Sequence, residues 1–422
     1  MYRLLSSSTI VALATFRAWC VALPTTSSVP LPPSQDPWYT APIGFEDALP
    51  GEVLRLRSAP GNLTTVYNNS AAAYNLLYRT TDSTYNASWA VTTLFVPKHT
   101  DSNALLSYQV PYNTPDIDGS PSYFLYAPGN SYSDVADLDI QTALSLGWYL
   151  NVPDHEGPLA SFGLGVQEGH ATLDSVRAVL NIGFGLASDA RYAMWGYSGG
   201  SIASEWAAEL QVQYAPELKF AGAALGGLVP NFTSVLTHAS SSQWWSGLLP
   251  MGLLGVTKQY PAAREYLVSQ LKVSGPYNRT GFLAGDNMTV EEAFAVYANQ
   301  PVFEYFINGA DSLDAPVLQD VFHSNVYMGY HGVPQMPLFI YKATQDEITP
   351  ISDTDAVVAR YCGVSVGANI LYERNTIGGH LAEETNGDAR AFQWLRSVLE
   401  GTYKHDGCTV RDVAINITDT AI

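Results

Sequence analysis

A serine framed by glycines, an acid after an apolar run and a histidine after a glycine pair are the residues that could do chemistry in this chain. The serine stands in Gly196-Tyr197-Ser198-Gly199-Gly200, a G-x-S-x-G pattern. It follows the apolar run "ARYAMWG" (190–196) and precedes a helical pattern, "SIASEWAAELQVQYA" (201–215). A strand that turns into a helix through such a motif sets the serine hydroxyl at the carboxyl edge of a sheet. Glycines at 196 and 200 suit a turn in which side chains would collide. The positive end of the helix and the Gly199 N–H favour a negative charge developing beside the serine. Ser198 is therefore the candidate nucleophile.

A serine nucleophile needs a base, and behind a turn of this kind the acid and the histidine follow it in the chain. His238, His323, His331, His380 and His405 satisfy that order. The first three fall in a segment without the strand rhythm, and His405 lies in a tail-like stretch, "TYKHDG". His380, in "NTIGGHLAEE", reads as a loop residue between the last strand and the C-terminal helix. The acid is expected at the end of "PLFIYKATQDEITP", where Asp346 and Glu347 are adjacent. Only one of the two can meet the imidazole; spacing prefers Asp346 and leaves Glu347 open.

These residues must be held by a common scaffold. Short apolar runs at 89–97, 104–110, 147–153, 190–196, 218–227, 337–343 and 368–374 read as strands, with helical patterns at 172–187, 201–215 and 388–400 between them. Continuous apolar strands alternating with helices predict an α/β fold with a mostly parallel sheet covered on both faces. The rhythm breaks over 231–334, which is expected to be a helical cap inserted into a core made of 42–230 and 335–422. Its "WWSGLLPMGLLGV" (244–256) offers apolar surface for a pocket or for packing against the sheet. Residues 23–41, rich in Pro and Ser, read as an extended lead-in. In "VPDHEG" (152–157), His155 and Glu156 precede the serine and are expected to shape a turn with Asp154 and Gly157 rather than to catalyse.

Composition excludes several partners. The 422 residues carry 39 acidic and 20 basic side chains, a formal net charge of -19, which repels nucleic acid and anionic lipid headgroups. Residues 1–22 read as a secretion signal, with Arg3, the apolar "IVALATF" and a small-x-small site at Cys20-Val21-Ala22. No later run is long enough to span a membrane. Seven Asn-x-Ser/Thr sequons, at Asn62, Asn68, Asn86, Asn231, Asn278, Asn287 and Asn416, agree with export. Once Cys20 leaves with the signal, Cys362 and Cys408 remain, and one disulfide is their simplest use, two buried thiols being the alternative. No metal or organic cofactor is implied, and a monomer is expected.

At these motifs the chain resembles the fungal secretory lipases of the Candida antarctica lipase A type. The likeness runs through "VPDHEG", "GHATLDSVRA", "GYSGG", "ASEWAAELQ", "YAPEL", "GAALGG", "DEITP" and "GGH". It implies an α/β-hydrolase fold with a large helical cap and secreted ester hydrolysis with lipase activity. Carried over residue by residue, the family triad falls on Ser198, Asp346 and His380, which decides for Asp346 over Glu347. The resemblance also places the second oxyanion N–H at Asn113, in "SYQVPYNTPDIDGSPSY" (107–123), where the family has an aspartate. Gly119 stands where the family has a cysteine, and Cys362 with Cys408 matches the family's C-terminal disulfide. The expected function is thus hydrolysis of carboxylic esters, foremost triacylglycerols at a lipid–water interface, with a short-chain or natural-product esterase as the alternative. A serine peptidase and a non-catalytic binding module rank behind both. A histidine acts as base only when neutral, so activity is expected to fall on acidification.

Overall fold

A computed structural model describes residues 29–61, 63–126, 133–240, 244–365 and 367–417. The signal segment 1–22, the start of the lead-in and Asn62 lie outside them. Among the described residues ten strands form one sheet: β1 (Val53–Ser58), β2 (Ser70–Thr81), β3 (Ala87–Pro97), β4 (Ala104–Gln109), β5 (Tyr149–Pro153), β6 (Arg191–Tyr197), β7 (Gly222–Gly226), β8 (Leu338–Ala343), β9 (Ile370–Asn375) and β10 (Cys408–Val413). Their order is β1-β2-β3-β5-β4-β6-β7-β8-β9-β10. Pairing is antiparallel from β1 to β3 and between β3 and β5, and parallel from β5 to β10. The expected α/β architecture is present.

Period-two alternation assigns each strand's side chains to two separate cores. Leu105, Met194, Leu338 and Ile340 pack on one face with the helices Gly165–Ile182 and Gly199–Tyr214. Leu106, Trp195, Phe339 and Tyr341 pack on the other with Ser133–Ser145 and His380–Leu399. Because both faces are covered, β4, β5, β7 and β8 are buried along their whole length. The chain leaves β4 toward one face and β6 toward the other, and β4 and β6 are neighbours. That reversal opens a crevice at their carboxyl ends.

Several boundaries differ from the sequence reading. Strand β7 begins at Gly222: a turn over 215–218, closed by Leu218 N–H on Ala215 O, and the irregular residues 219–221 precede it. The helix read from 172 starts at Gly165, and the C-terminal helix starts at His380 rather than 388. His380 is therefore the first residue of a helix. Cys362 lies in the helix Ile351–Val364 and is bonded to Cys408 at the start of β10. Between β7 and β8 the described residues of 231–334 are helices and tight turns, with strand-like pairing limited to two isolated bridges, Asn231–Tyr327 and Leu271–Phe306.

The lead-in, extended by expectation, has a short helical turn at Pro37–Tyr39, and Tyr39 packs with Leu54, Leu77 and Val91. Of the described sequons, Asn68, Asn86, Asn287 and Asn416 are exposed. Asn231 and Asn278 are half-buried, and their side-chain oxygens accept from Ser234 N–H at 3.0 Å and Gly281 N–H at 3.2 Å.

Candidate active site

The turn between β6 and the following helix is as tight as its glycines imply. Ser198 itself sits at φ 50°, ψ -120°, a conformation that side-chain-bearing residues avoid. A Cβ on Gly196 would collide with the Gly200 carbonyl, and one on Gly200 with the Gln109 carbonyl of β4. Glycine at both positions lets the turn press against β4 and pushes the Ser198 side chain out into the crevice. Ser201 Oγ donates to Ser198 O at 2.6 Å, bracing the first helical turn.

Across the crevice, His380 Nε2 lies 2.8 Å from Ser198 Oγ, and His380 Nδ1 lies 2.7 Å from Asp346 Oδ2. Asp346 follows β8 and is held by Ile348 N–H at 2.9 Å and Thr349 N–H at 2.7 Å on Oδ1, and by Thr349 Oγ1 at 2.9 Å on Oδ2. The adjacent Glu347 is exposed and does not touch the imidazole; its Oε2 accepts from the main-chain N–H of His380 at 2.7 Å. Tyr197 Oη donates to His380 O at 2.6 Å. The structure thus brings Ser198, His380 and Asp346 into one hydrogen-bonded chain and gives Glu347 a different partner. His238, His323, His331 and His405 are not in it.

One participant gave no motif signal. Lys342 is fully buried in β8, donates to Leu228 O at 2.6 Å and to Thr349 Oγ1, and stands 3.6 Å from Asp346 Oδ2. Burial alone would raise the Asp346 carboxyl. The neighbouring His380 and Lys342, with the hydrogen bonds from His380 and Thr349, outweigh it and hold the group well below the ordinary carboxylate range. Burial in turn lowers the Lys342 ammonium, against the pull of Asp346. A lone lysine inside the apolar "LFIYKA" was the available clue, since a buried cation requires a nearby anion.

Asn113 follows β4 and stands opposite Gly199, at φ 48°. The two are so close that a Cβ on Gly199 would overlap the Asn113 carboxamide. Beneath this loop lies the "DHEG" turn. Asp154 accepts from Ser122 N–H at 2.8 Å and Ser122 Oγ at 2.6 Å, and His155 Nε2 meets Val110 O at 3.0 Å. Glu156, fully buried, is pushed well up by burial and by Glu168, an effect the main-chain N–H groups of Thr114 and Asn113 partly offset. Asp154, His155 and Glu156 support the loop from below, and none is hydrogen-bonded to Ser198. Above them a cavity of about 270 Å³ is lined by Ser198, His380 and Asn113 together with Trp245, Leu248, Phe294 and others. The "WWSGLLPMGLLGV" stretch divides: Trp245 and Leu248 face the cavity, while Leu249 to Val256 are buried in packing.

Comparison with known proteins gives the family and the fold of the chain. Residues 131–407 match the family described as "Secretory lipase". The chain is 49% identical to a trichothecene C-3 esterase of Fusarium sporotrichioides, over 97% of this chain and 94% of that protein. It is 36% identical to lipase A of Arthroderma benhamiae, over 94% and 86% respectively. Among solved structures, Candida antarctica lipase A superposes with a TM-score of 0.82 at 28% identity, over 92% of this chain and 91% of that one, so the fold is that of an α/β-hydrolase. Among the described residues no helix is long and apolar enough to cross a membrane. The chain belongs to the secretory lipase family of carboxylic ester hydrolases.

Proposed function

We propose that the protein is a secreted serine esterase that cleaves its substrate through an acyl-enzyme, with Ser198, His380 and Asp346 as the triad. The observation that carries this is the unbroken chain of 2.8 Å and 2.7 Å contacts from Ser198 through His380 to Asp346 at the floor of the cavity. Ser198 Oγ attacks the ester carbonyl carbon while its proton passes to His380 Nε2. The oxygen that becomes negative is received by the main-chain N–H groups of Gly199 and Asn113 at the mouth of the helix. His380 then hands its proton to the departing alkoxide, and the alcohol leaves. Water, deprotonated by the same nitrogen, attacks the acyl carbon and restores Ser198. Asp346 stays ionised throughout, fixing the ring so that Nδ1 carries hydrogen and Nε2 is the base.

For the substrate, the identity to the trichothecene C-3 esterase supports an acylated trichothecene, and the cavity of about 270 Å³ beside Ser198 is where it would sit. Triacylglycerol hydrolysis is the second reading, supported by the likeness to lipase A of Arthroderma benhamiae. Export is supported by the signal-like N-terminus, and the exposed Asn68, Asn86, Asn287 and Asn416 are the sequons best placed for sugars.

The test is a panel of p-nitrophenyl esters from acetate to palmitate, an acetylated trichothecene and tributyrin, each with the wild type and Ser198→Ala. Deacetylation of the trichothecene that disappears in the variant is the expected outcome. Strong activity on long chains and tributyrin alone would favour the second reading, and hydrolysis surviving in Ser198→Ala would exclude the triad.

A further inference from the structure

The wall of the reaction cavity is largely apolar, through Pro111, Trp245, Leu248, Phe294 and Ile348, with the acid Glu384 also lining it, within the influence of His380. Set into it is the carboxyl group of Glu291, from the first turn of the helix Val290–Tyr297. Its Oε1 is buried, and no hydrogen bond or ion pair reaches it among the described residues. The helix does not use Glu291 for its own N-terminus. That is closed by a capping box in which Thr289 N–H donates to Glu292 Oε2 at 2.9 Å and Glu292 N–H to Thr289 Oγ1 at 3.4 Å. The helix is also tied to the reacting centre: Thr114, next to Asn113, donates from Oγ1 to Met288 O at 2.6 Å. Glu291 is thus held in the cavity by both ends of its surroundings, with a buried acceptor left open.

We propose that Glu291 determines specificity by accepting a hydrogen bond from a free hydroxyl on the alcohol portion of the ester. This rests on the ester-hydrolase reading above. A simple acyl chain carries no donor, so an acceptor pressed against one stays desolvated and unpaired. A fully esterified glyceride has no hydroxyl to offer from its alcohol portion either. A compact alcohol that keeps a hydroxyl beside the reacting ester completes the site, and a site built around such a bond rejects the analogue that lacks it far more strongly than a merely apolar pocket does. Glu291 therefore turns an apolar cavity into one that selects partly acylated polyols.

The experiment compares kcat/KM for trans-1,2-cyclohexanediol monoacetate and cyclohexyl acetate in the wild type, Glu291→Leu and Glu291→Gln, with active sites counted by a fluorophosphonate that labels Ser198. The wild type is expected to prefer the hydroxylated acetate by about tenfold or more, and Glu291→Leu to reduce that preference to within about twofold. Glu291→Gln keeps an acceptor oxygen and should retain part of it, which decides the matter even where the leucine variant labels poorly. A wild-type ratio near one, or the same ratio in all three proteins, overturns the role of Glu291 while leaving the esterase reading intact. Absence of Ser198-dependent hydrolysis of either acetate would overturn both.

Discussion

Glu347 accepts a hydrogen bond at 2.7 Å from the main-chain N–H of His380. Two adjacent acids thus hold one histidine by different parts: Asp346 takes the ring and Glu347 takes the first residue of the helix that carries it. A carboxylate at a helix N-terminus meets the positive end of the dipole and fixes where that helix begins. Asp346→Asn removes the anion that sets the tautomer and should lower kcat by about 10⁴. Glu347→Ala loosens only the anchoring and should cost on the order of threefold to tenfold. Pre-steady-state acylation with p-nitrophenyl butyrate separates them; equal losses would refute the division of labour.

Gly199→Ala should damage catalysis without touching a triad side chain. The added methyl would occupy the space of the Asn113 carboxamide and drive the two proposed oxyanion donors apart. Loss of one such donor costs about 10² to 10³ in kcat. Fluorophosphonate labelling and kcat measured together would show the effect, and a variant with normal kcat would remove Gly199 from the oxyanion site.

Stability should be greater at pH 5 than at pH 8. Burial pushes the carboxyls of Asp154 and Asp174 up to about 7 and about 6. It pushes Glu383 and Glu384 up to about 7 each. A carboxyl raised in the folded state contributes stability that is full below the ordinary carboxylate range and is lost as the pH rises through the folded value. His170 opposes this: burial lowers it from 6.5 to about 4, so its contribution fades as the pH falls. Burial lowers His331 as well, and four carboxyls outweigh two imidazoles across that interval. Urea midpoints at the two pH values check the direction, and a higher midpoint at pH 8 would contradict it.

Removing the disulfide should cost stability rather than the reaction. Cys362 and Cys408 are 46 residues apart, and closing a loop of that length stabilises by about 4 kcal/mol in the chain-entropy limit. Strand β10 is otherwise attached to the sheet only along β9, with its side chains largely exposed. Paired Cys362→Ser and Cys408→Ser should lower the Tm by several degrees and speed amide exchange first in residues 408–413. Unchanged exchange there would mean that β9 alone holds the strand.

Much of the site was legible because its signals are local. The glycines around Ser198 are dictated by backbone crowding within the turn, and the apolar runs of β4, β6 and β8 by burial on both faces. Strands β1, β2 and β10 escaped notice for the converse reason. They lie toward the edges of the sheet, where mixed burial leaves no continuous apolar run, and in β10 five of six residues are exposed. Two glycines before His380 predict a loop there, but the helix starts at His380 with Glu347 bound to its first N–H, a partner 33 residues away in the chain.

What the sequence determined alone was the alternation of elements, the serine turn, and the order in which acid and base must follow it, since each depends on residues within a few positions of one another. The tertiary structure decided the rest: that Glu347 turns away from the imidazole to the His380 main chain, that Lys342 stands behind Asp346, and that Glu291 Oε1 has no hydrogen-bond partner among the described residues. Those outcomes depend on which strand ends and helices meet across the crevice between β4 and β6, and local periodicity carries no record of distances between segments far apart in the chain.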